Sequence, residues 1–334
     1  MNATLQAPPR LEARDDRFLS ALREAVRARL DDPALERRAF RRAWAKAALL
    51  GVWFAASYAA ALASTGTAAL GIASASAGLA LAGLAFNVQH DGAHGSLPGG
   101  ARANRAAALV LDFLGMSSTL WHWKHNHLHH GHPNVRGLDD DVDAGPVARL
   151  HPEDPWRPHH RWQHLYLWPS YALLTLRWIF YSDPKEYLSG RIGTFRLPPL
   201  TRRQRLGFWL GKLLFVGWAL LVPIAVLGPA RGLAFFLLFE MVGGFVAAVA
   251  FQLAHAVEDA APHGEAAPGD AAGWAERQLA ATVDFTTWPR FLGGYLGGLN
   301  HQSVHHLFPG VSHQHYPWMA DLLAETARAH GVRY

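Results

Sequence analysis

The chain has 334 residues, half of them apolar, and contains 20 histidines, 13 tryptophans and no cysteine. The absence of cysteine excludes a thiolate metal site, an iron–sulfur cluster and a disulfide framework. The formal net charge of +5 does not predict a nucleic-acid-binding arm, because Asp and Glu are interspersed among the arginines of residues 10–46. A chain of this length could form one to three domains.

The amino-terminal segment, residues 1–46, is long and charged, so it does not resemble a secretory signal. Apolar residues recur at every fourth position among its charges, which predicts a helix with one apolar face. These residues are Phe18, Leu22, Val26 and Leu30. We expect this cytosolic helix to lie on the membrane interface, and a solvated charged helix is an equal alternative. Asp32 and Pro33 predict the start of the next helix.

Four apolar runs are each close to the roughly 20 residues that a helix needs to cross a bilayer. The runs are 47–64, 67–88, 206–227 and 233–254. A turn near Gly66 separates the first two runs, and GPARG at 228–232 separates the last two. The sequence therefore predicts an all-α integral membrane protein with four transmembrane helices in two hairpins. We take residues 47–334 as one membrane domain.

Basic residues predict the orientation of these helices. Five of them lie in the ten residues before the first run, namely Arg37, Arg38, Arg41, Arg42 and Lys46, whereas the two hairpin turns carry only Arg231. The amino terminus should therefore be cytosolic. Two hairpins then place residues 89–205 and everything after residue 254 on the same side, where they would form a helical cap that contains nearly every histidine.

Two charged residues interrupt the third and fourth runs. Lys212 is expected to extend toward the cytosolic end of its helix, because a charge at the bilayer centre costs roughly 2.5 to 3.5 kcal/mol on insertion scales. Glu240 lies deeper in its run. It is a functional candidate, and pairing inside the helix bundle is at least as good an interpretation.

The histidines form three clusters and one isolated position. The first cluster is His90 and His94, whose spacing places both on one helical face. The second is His125, His129 and His130, where the third side chain should point about 100° away from the second in an α-helix. The third cluster is the HQSVHH stretch at 301–306, and His255 stands alone at the end of the fourth run.

Eight of these histidines are strong candidate ligands, which is more than one metal needs. They are His90, His94, His125, His129, His130, His255, His305 and His306. The surplus favours two metal ions, although imidazole alone does not choose between iron, copper, zinc and nickel. A site beside the membrane suits a long apolar substrate, and oxygen activated on iron is a known solution for its unreactive C–H bonds. Oxidation of a lipid chain is therefore the expected chemistry.

The clusters resemble the histidine boxes of the membrane fatty acid desaturases. The boxes correspond to HDGAH at 90–94, HNHLHH at 125–130 and QSVHH at 302–306. The resemblance extends from about residue 45 to the end. Together with GLDDDVD and HHLFPGVSHQHYP, the boxes look especially like the bacterial acyl-CoA or acyl-lipid branch related to linoleoyl-CoA and front-end desaturases.

This resemblance implies a cytosolic cap that holds two iron ions above four spanning helices, in the cytoplasmic membrane of a bacterium. It implies that the eight histidines bind the iron, with Gln302 in the place of the first histidine of the third box. Such an enzyme uses O2 to insert a C=C bond into a fatty acyl chain. We expect Asp91 and Asn126 to orient the histidine rings, and the run 139–141 to be solvated or to support the site.

Two positions in the third box depart from the family pattern, which resembles NYQVEHH. His301 stands where an aromatic residue is usual, and Val304 stands where Glu is usual. An amide oxygen is a weak ligand, so His301 could replace Gln302, and a role away from the metal is an equal alternative for it. The loss of the Glu leaves the support of this box open.

Partners and rival functions follow from the same comparison. The sequence contains no haem-binding HPGG pattern, so electrons should come from a separate donor such as ferredoxin or a cytochrome b5-like protein. The acyl carrier could be CoA, acyl carrier protein or a membrane lipid. An acetylenase or a lipid hydroxylase could use the same scaffold. A non-catalytic metal-binding or transport protein is the rival from another class, but transport ligands should lie near mid-bilayer.

Overall fold

A computed structural model describes residues 17–141, 144–150, 154–258, 260, 273–289 and 291–334. The first sixteen residues of the amino-terminal segment lie outside the described residues. The described part is almost entirely helical, with a single two-stranded antiparallel sheet, β1 (Arg191–Ile192) and β2 (Phe195–Arg196).

Four helical stretches are long and apolar enough to cross a membrane, as the sequence predicts. They are Pro33–Ala63, Thr67–His94, Arg202–Leu227 and Pro229–His255. The first is α2 and the last is α13. The second joins α3 (Thr67–Leu84) to α4 (His90–His94) through a π-helical turn at Ala85–Gln89, and the third joins α11 (Arg202–Phe215) to α12 (Val222–Leu227) through another at Val216–Leu221.

The remaining helices are shorter. Near the amino terminus and after α4 they are α1 (Arg17–Leu30), α5 (Gly100–Ala108), α6 (Val110–Phe113) and α7 (Ser118–Trp121), the last continuing as a π-helix at His122–His129. Between the second and third long stretches follow a 3₁₀ turn at Pro158–Trp162, α8 (Gln163–Tyr171), α9 (Leu174–Arg177), a π-turn at Trp178–Ser182 and α10 (Asp183–Ser189). After α13 come α14 (Trp274–Ala280), α15 (Phe291–Tyr295), α16 (Gln302–Leu307), a 3₁₀ turn at His313–His315 and α17 (Tyr316–His330).

The long helices begin earlier or end later than the apolar runs. Asp32 caps α2 by accepting a hydrogen bond from Ala34 N at 2.8 Å, and Pro33 occupies its first turn, as predicted. No Gly or Pro follows until Gly51, so the predicted first span is the second half of one continuous 31-residue helix. Hydrophobicity therefore identified the membrane-compatible part of the helix, and the cap identified its start.

The long helices pack against one another through small residues and aromatic rings. A Cβ atom at Gly78 of α3 would lie 2.5 Å from the carbonyl oxygen of Phe239 in α13, so only glycine permits this approach. Beside this contact, Phe235 and Phe239 stack with ring centroids 5.6 Å apart. Both are fully buried and belong to the largest apolar cluster among the described residues.

The helix α1 forms as predicted, but its apolar face does not lie on a membrane surface. Phe18, Leu22 and Val26 are buried in one cluster with residues of α16 and α17, and Leu30 packs at its edge. The four-residue period correctly identified a buried face. The expected membrane contact is wrong because the carboxy-terminal helix α17 covers that face.

The structure also corrects the interpretation of the two charged residues in the spans. The charge of Lys212 is paired inside the protein, because its Nζ lies 2.8 Å from the Asp183 carboxylate and donates to the carbonyl oxygens of Gly115 and Ile179. Glu240 is buried, and within the described part of the chain neither carboxylate oxygen has a hydrogen-bond partner. The expected pairing of Glu240 is therefore not observed.

Candidate metal centre

The first histidine cluster follows a change of helical pitch. The π-turn at Ala85–Gln89 leads into α4, and α4 ends at Gly95, whose φ of 73° lies in the left-handed region. Within α4, the rings of His90 and His94 have centroids 4.7 Å apart. The four-residue spacing thus brings both imidazoles to one face, as predicted.

The second cluster lies on a π-helix rather than on an α-helix. The backbone N–H of His130 donates to the carbonyl oxygen of His125 at 3.0 Å, which is a five-residue hydrogen bond. This pitch returns His130 to the side of His125, and their ring centroids are 4.9 Å apart. The expected rotation of about 100° between His129 and His130 assumes an α-helix, whereas this segment is a π-helix.

The third cluster lies on α16, opposite the end of α13. His305 and His306 are almost completely buried, and His255 is the last residue of α13. The ring of His306 lies 5.0 Å from that of His255, measured between centroids. His255, which is isolated in the sequence, therefore lies beside the third box in the structure.

The clusters combine into two neighbouring sets of side chains that could hold metal ions. The first set is His90, His94, His125 and His305, and the second is His129, His255 and His306. A third group, His125, His129 and Asp141, overlaps both sets. Within each set the potential ligand atoms lie within 4.8 Å of one another. The ring of His130 lies between the sets, 4.6 Å from that of His94 and 4.4 Å from that of His306.

Unpaired nitrogens show that the site fits metal ions. In the described part of the chain, several buried ring nitrogens have no hydrogen-bond partner, and a buried polar atom without a partner costs about 1–3 kcal/mol. They are Nε2 of His90, His94, His125, His305 and His306, and both ring nitrogens of His130. Ions bound to these nitrogens would satisfy them, and imidazole is a common ligand of transition metals.

The electrostatic environment keeps most of these imidazoles neutral, which is the form that binds a metal. Burial, reinforced by the neighbouring imidazoles, lowers the pKa well below its ordinary value for His125, His130, His305 and His306. At His129, burial also lowers the pKa, but the carboxylates of Asp139 and Asp141 more than reverse this effect, so its pKa is raised.

The other ring nitrogen of several histidines has a partner on a different element. Nδ1 of His129 contacts Asp139 Oδ2 at 3.0 Å, and Nδ1 of His125 lies 3.4 Å from Asp141 Oδ2. The remaining contacts of this kind join His305 to the Tyr316 hydroxyl, His306 to Gln278 Oε1 and His255 to the Ala281 carbonyl oxygen. Such partners fix the orientation of a ligand ring and the tautomer that it adopts.

Most of these orienting residues could not be found by sequence reasoning. Asp139 and Asp141 lie in the run for which a supporting role was one expectation, and the structure favours that role. Gln278 and Tyr316 gave no signal, because they lie 28 and 11 residues from the histidines that they contact. Only folding brings them to the site.

The two residues that we expected to orient the rings act elsewhere. Asp91 pairs with His313, with 2.7 Å between Oδ2 and Nδ1. The other ring nitrogen of His313 lies 2.9 Å from Lys46 Nζ. Asn126 donates to the carbonyl oxygen of Ala93 at 2.8 Å, so it holds the backbone of the first box. Neither side chain hydrogen-bonds to one of the eight candidate ligands.

The structure separates the two candidates at the start of the third box. Gln302 is buried, with its Nε2 2.8 Å from His255 Nε2. Among the described residues, none of the three groups that could hold a metal includes His301. Val304, where the family pattern has Glu, is buried in the cluster that also contains Leu22 of α1. The back of this box is therefore supported by apolar packing.

Comparison with known proteins identifies the family. Residues 65–334 match the fatty acid desaturase family. The chain is 32% identical over 260 residues to an sn-1 linoleoyl-lipid 6-desaturase from Synechocystis sp., which covers 77% of this chain and 72% of that protein. It is 34% identical over 294 residues to an acyl-lipid (8-3)-desaturase from Physcomitrium patens, covering 86% of this chain and 60% of that protein.

The chain belongs to the fatty acid desaturase family. It is therefore an oxidoreductase that desaturates fatty acyl chains, and its buried histidine sets fit the metal site of such an enzyme. A second cyanobacterial relative, an sn-1 linoleoyl-lipid 6-desaturase from Arthrospira platensis, is 33% identical over 261 residues and covers 77% of this chain and 70% of that protein.

An open groove leads from the surface of the desaturase to the first set. It has a volume of about 1180 Å³, and His94 is one of the residues that line it. Apolar residues, among them Leu97 and Trp123, share its walls with the polar side chains of Arg105 and Gln204. The groove could admit an acyl chain together with a polar headgroup.

Proposed function

We propose that this desaturase inserts a C=C bond with O2 at a di-iron centre held by the two histidine sets. His90, His94, His125 and His305 would bind one iron, and His129, His255 and His306 the other. His130, whose ring lies between the sets, would complete either one, and Gln302 would lie against the second iron. The observation that carries this proposal is the convergence of buried imidazole nitrogens without hydrogen-bond partners.

The bound irons would supply the oxidation: two neighbouring methylenes lose one hydrogen atom each, while O2, two electrons and two protons become two water molecules. The protein contributes geometry. The carboxylates of Asp139 and Asp141, together with Gln278 and Tyr316, would hold the imidazole rings in place through Nδ1. The walls of the groove would present one pair of acyl carbons to the site, and an error of about 1 Å in that placement can cost roughly a hundredfold in rate.

We also propose that the four long helices cross the membrane as two hairpins with the site on the cytosolic side of a bacterial cytoplasmic membrane. Supporting this, α2 is joined to α3 by residues 64–66, and α12 to α13 by Gly228 alone. The arginines of the first part of α2 are exposed. Lys46, which follows them, contacts His313, and His313 contacts Asp91 of the first box. This charge pattern is typical of a cytosolic end.

The proposed substrate is an acyl chain carried by a membrane lipid, and the proposed electron source is a separate redox protein. The names of the relatives support a lipid carrier, because they describe desaturases of acyl-lipids. A separate donor such as ferredoxin or a cytochrome b5-like protein would have to reach the cytosolic side. CoA and acyl carrier protein are the alternative carriers, and extracts supplied with each carrier in turn would distinguish them.

The test is mass spectrometry of total fatty acids, with derivatised double bonds, from a host that expresses the chain. We expect a product lighter by two hydrogen atoms from the wild type and from His127→Ala, whose ring lies outside both sets, but not from His129→Ala. A product heavier by one oxygen atom would show that the enzyme is a hydroxylase. A product lighter by four hydrogen atoms would indicate an alkyne or a diene. Purified protein that holds iron but oxidises no acyl donor, with a redox partner supplied, would contradict the proposal.

A further inference from the structure

We infer that the exposed arginines of residues 191–205 form the docking surface of an acidic one-electron donor protein. These residues comprise the two-stranded sheet and the start of α11, and the sheet packs against the second histidine box. The inference rests on the proposed function, because a desaturase without its own electron carrier needs a separate donor. It adds where that donor binds and which charge it carries.

The charge of this arginine surface has one sign. Its five exposed arginines are Arg191, Arg196, Arg202, Arg203 and Arg205. Residues 185–205 contain a single acidic residue, Glu186, which is buried and contacts Lys124 Nζ at 3.4 Å. Among the described residues, no ion pair involves any of the five arginines. The surface therefore presents positive charge that the protein itself does not neutralise.

Two of these arginines face each other across the two-stranded sheet. Arg191 pairs with Arg196 in the antiparallel register, and side chains at such positions have Cβ atoms about 4.5–5.5 Å apart. Like charges directly opposite each other destabilise a sheet. An anionic group that bound to both side chains would remove this repulsion. The register of the sheet therefore points to a negatively charged partner.

The sheet is held firmly against the second histidine box. Ile192 of β1 and Leu128 of the π-helix are fully buried in one apolar cluster. The amide and the hydroxyl of Thr194 both donate to the carbonyl oxygen of Gly137, at 3.2 and 2.6 Å. Gly137 belongs to the loop that joins the second box to Asp139. A protein on the arginine surface would therefore lie next to the loop that supports the metal centre.

A single helix separates this surface from the candidate metal ligands. The π-helix buries His125 and His129, whereas its Trp123 is half-buried and stacks on Phe195 of β2 with ring centroids 5.8 Å apart. A helix with its side chains is about 10–12 Å across. Because electron transfer through protein weakens steeply with distance, a donor seated beside Trp123 would have a short route to the site.

A hollow beside the arginines has the character of a protein-binding surface. Its volume is about 990 Å³. The described residues that line it include the apolar side chains of Trp123, Leu188 and Phe195, together with Arg196 and Arg205, and no carboxylate. Protein interfaces commonly combine an apolar centre with a polar rim. Trp123 also lines the groove proposed for the acyl chain, so the donor would dock beside the substrate entrance.

Charge and position together favour an acidic redox protein as the occupant. Opposite charges steer two proteins together and act mainly on the association rate. Each docked donor would give up one electron, and two donors in turn would supply the two electrons that the reduction of O2 requires. An anionic lipid headgroup is the rival occupant, because Arg202 and Arg203 begin a proposed spanning helix. A headgroup would explain the charge but not the apolar hollow beside the second box.

The test measures donor binding to the full chain in nanodiscs of phosphatidylcholine by surface plasmon resonance. The probes are an acidic [2Fe–2S] ferredoxin and the acidic soluble domain of a cytochrome b5. The test variant combines Arg191→Gln with Arg196→Gln, and Arg203→Gln with Arg205→Gln replaces it if circular dichroism shows that it does not fold. The control combines Arg328→Gln with Arg333→Gln, which removes the same charge from exposed positions near the carboxy terminus.

We expect at least one donor to bind the wild type and the control alike, and to associate about tenfold more slowly with the test variant at low salt. Added salt should reduce this difference. No binding of either donor to the wild type, or equal association rates in all three proteins, would overturn the proposal. Unchanged donor binding with loss of co-purified phosphatidylglycerol from the test variant would overturn it in favour of a headgroup site.

Steady-state turnover separates a donor site from a site for the acyl carrier. In the test variant, the KM for the donor should rise about tenfold, while kcat at saturating donor and the KM for the acyl substrate stay unchanged. A rise in the KM for the acyl substrate alone would overturn the proposal and assign the arginines to the carrier. The binding measurement needs neither metal nor turnover, so its failure is distinguishable from failure of the desaturase reaction.

Discussion

Nδ1 of His129 lies 3.0 Å from Oδ2 of Asp139, and both side chains are buried. Asp139 is itself held by the backbone N–H of Asn134 and of Asp141. A fixed carboxylate of this kind orients the ring and makes it a stronger ligand.

The first prediction is that Asp139→Asn weakens iron binding about 10–100-fold, the usual effect of losing such a partner. Iron per protein, measured by elemental analysis after dialysis against a graded chelator, gives the affinity. Asp140→Asn is the matched control, because Asp140 contacts Lys124 Nζ at 2.7 Å and no histidine of the two sets. Equal losses in both variants would assign the effect to the acidic loop as a whole.

The second prediction concerns the start of the third box. His301→Ala should retain both irons, since His301 belongs to neither set, whereas Gln302→Ala should lower the occupancy of the second iron because its amide adjoins His255 Nε2. Elemental analysis and the fatty acid product of each variant check this. Iron loss in His301→Ala with full retention in Gln302→Ala would reverse the assignment.

The third prediction is that Leu22→Ala destabilises the protein by about 2–5 kcal/mol, as expected when a fully buried leucine is truncated. Leu22 is 0% exposed in the cluster shared with α16 and α17. Unfolding in detergent, followed by circular dichroism, measures the change. Arg23→Ala, one residue away and exposed, should have little effect. A negligible effect of Leu22→Ala on stability would contradict the burial of this face by α17 and would favour the contact of α1 with the membrane surface.

The fourth prediction is a pH dependence of stability from Glu186. Burial raises the pKa of Glu186 from 4.5 to about 7, although the nearby Lys124 opposes this effect. Between these two values the folded state binds more protons than the unfolded state, so stability falls as the pH rises from about 4.5 to about 7.

Glu186→Gln should therefore flatten the decline of the unfolding temperature across this pH window. Glu325→Gln, on the exposed face of α17, is the control and should preserve the wild-type profile. A wild-type profile in Glu186→Gln would show that other groups cause the pH dependence.

Local periodicity predicted the parts of this molecule that depend on neighbours in the chain. Hydrophobic runs identified the four long helices, Asp32 and Pro33 identified the start of α2, and the spacing of His90 and His94 placed both on one face. These features require only the geometry of a regular helix. They were predictable because the α-helix repeats.

The features that sequence reasoning missed depend on distant contacts or on irregular pitch. The ring partners Gln278 and Tyr316 come from other helices, and Asp183 neutralises Lys212 from 29 residues away. The apolar face of α1 was recognised, but periodicity reports only that a face is buried and not what buries it. The π-helix of the second box was missed because an α-helical pitch was assumed.

That π-helix limits how far the second box can be moved to another protein. The five-residue hydrogen bond from His130 to His125 makes the local pitch part of the recognition pattern, although no single letter of HNHLHH encodes it. A designed helical bundle that carries these six residues on a helix of ordinary pitch would direct His130 away from its partners. A design that copies this box would also have to include the flanking residues that widen the helical turn. What must be copied is the π-helical backbone together with its histidines.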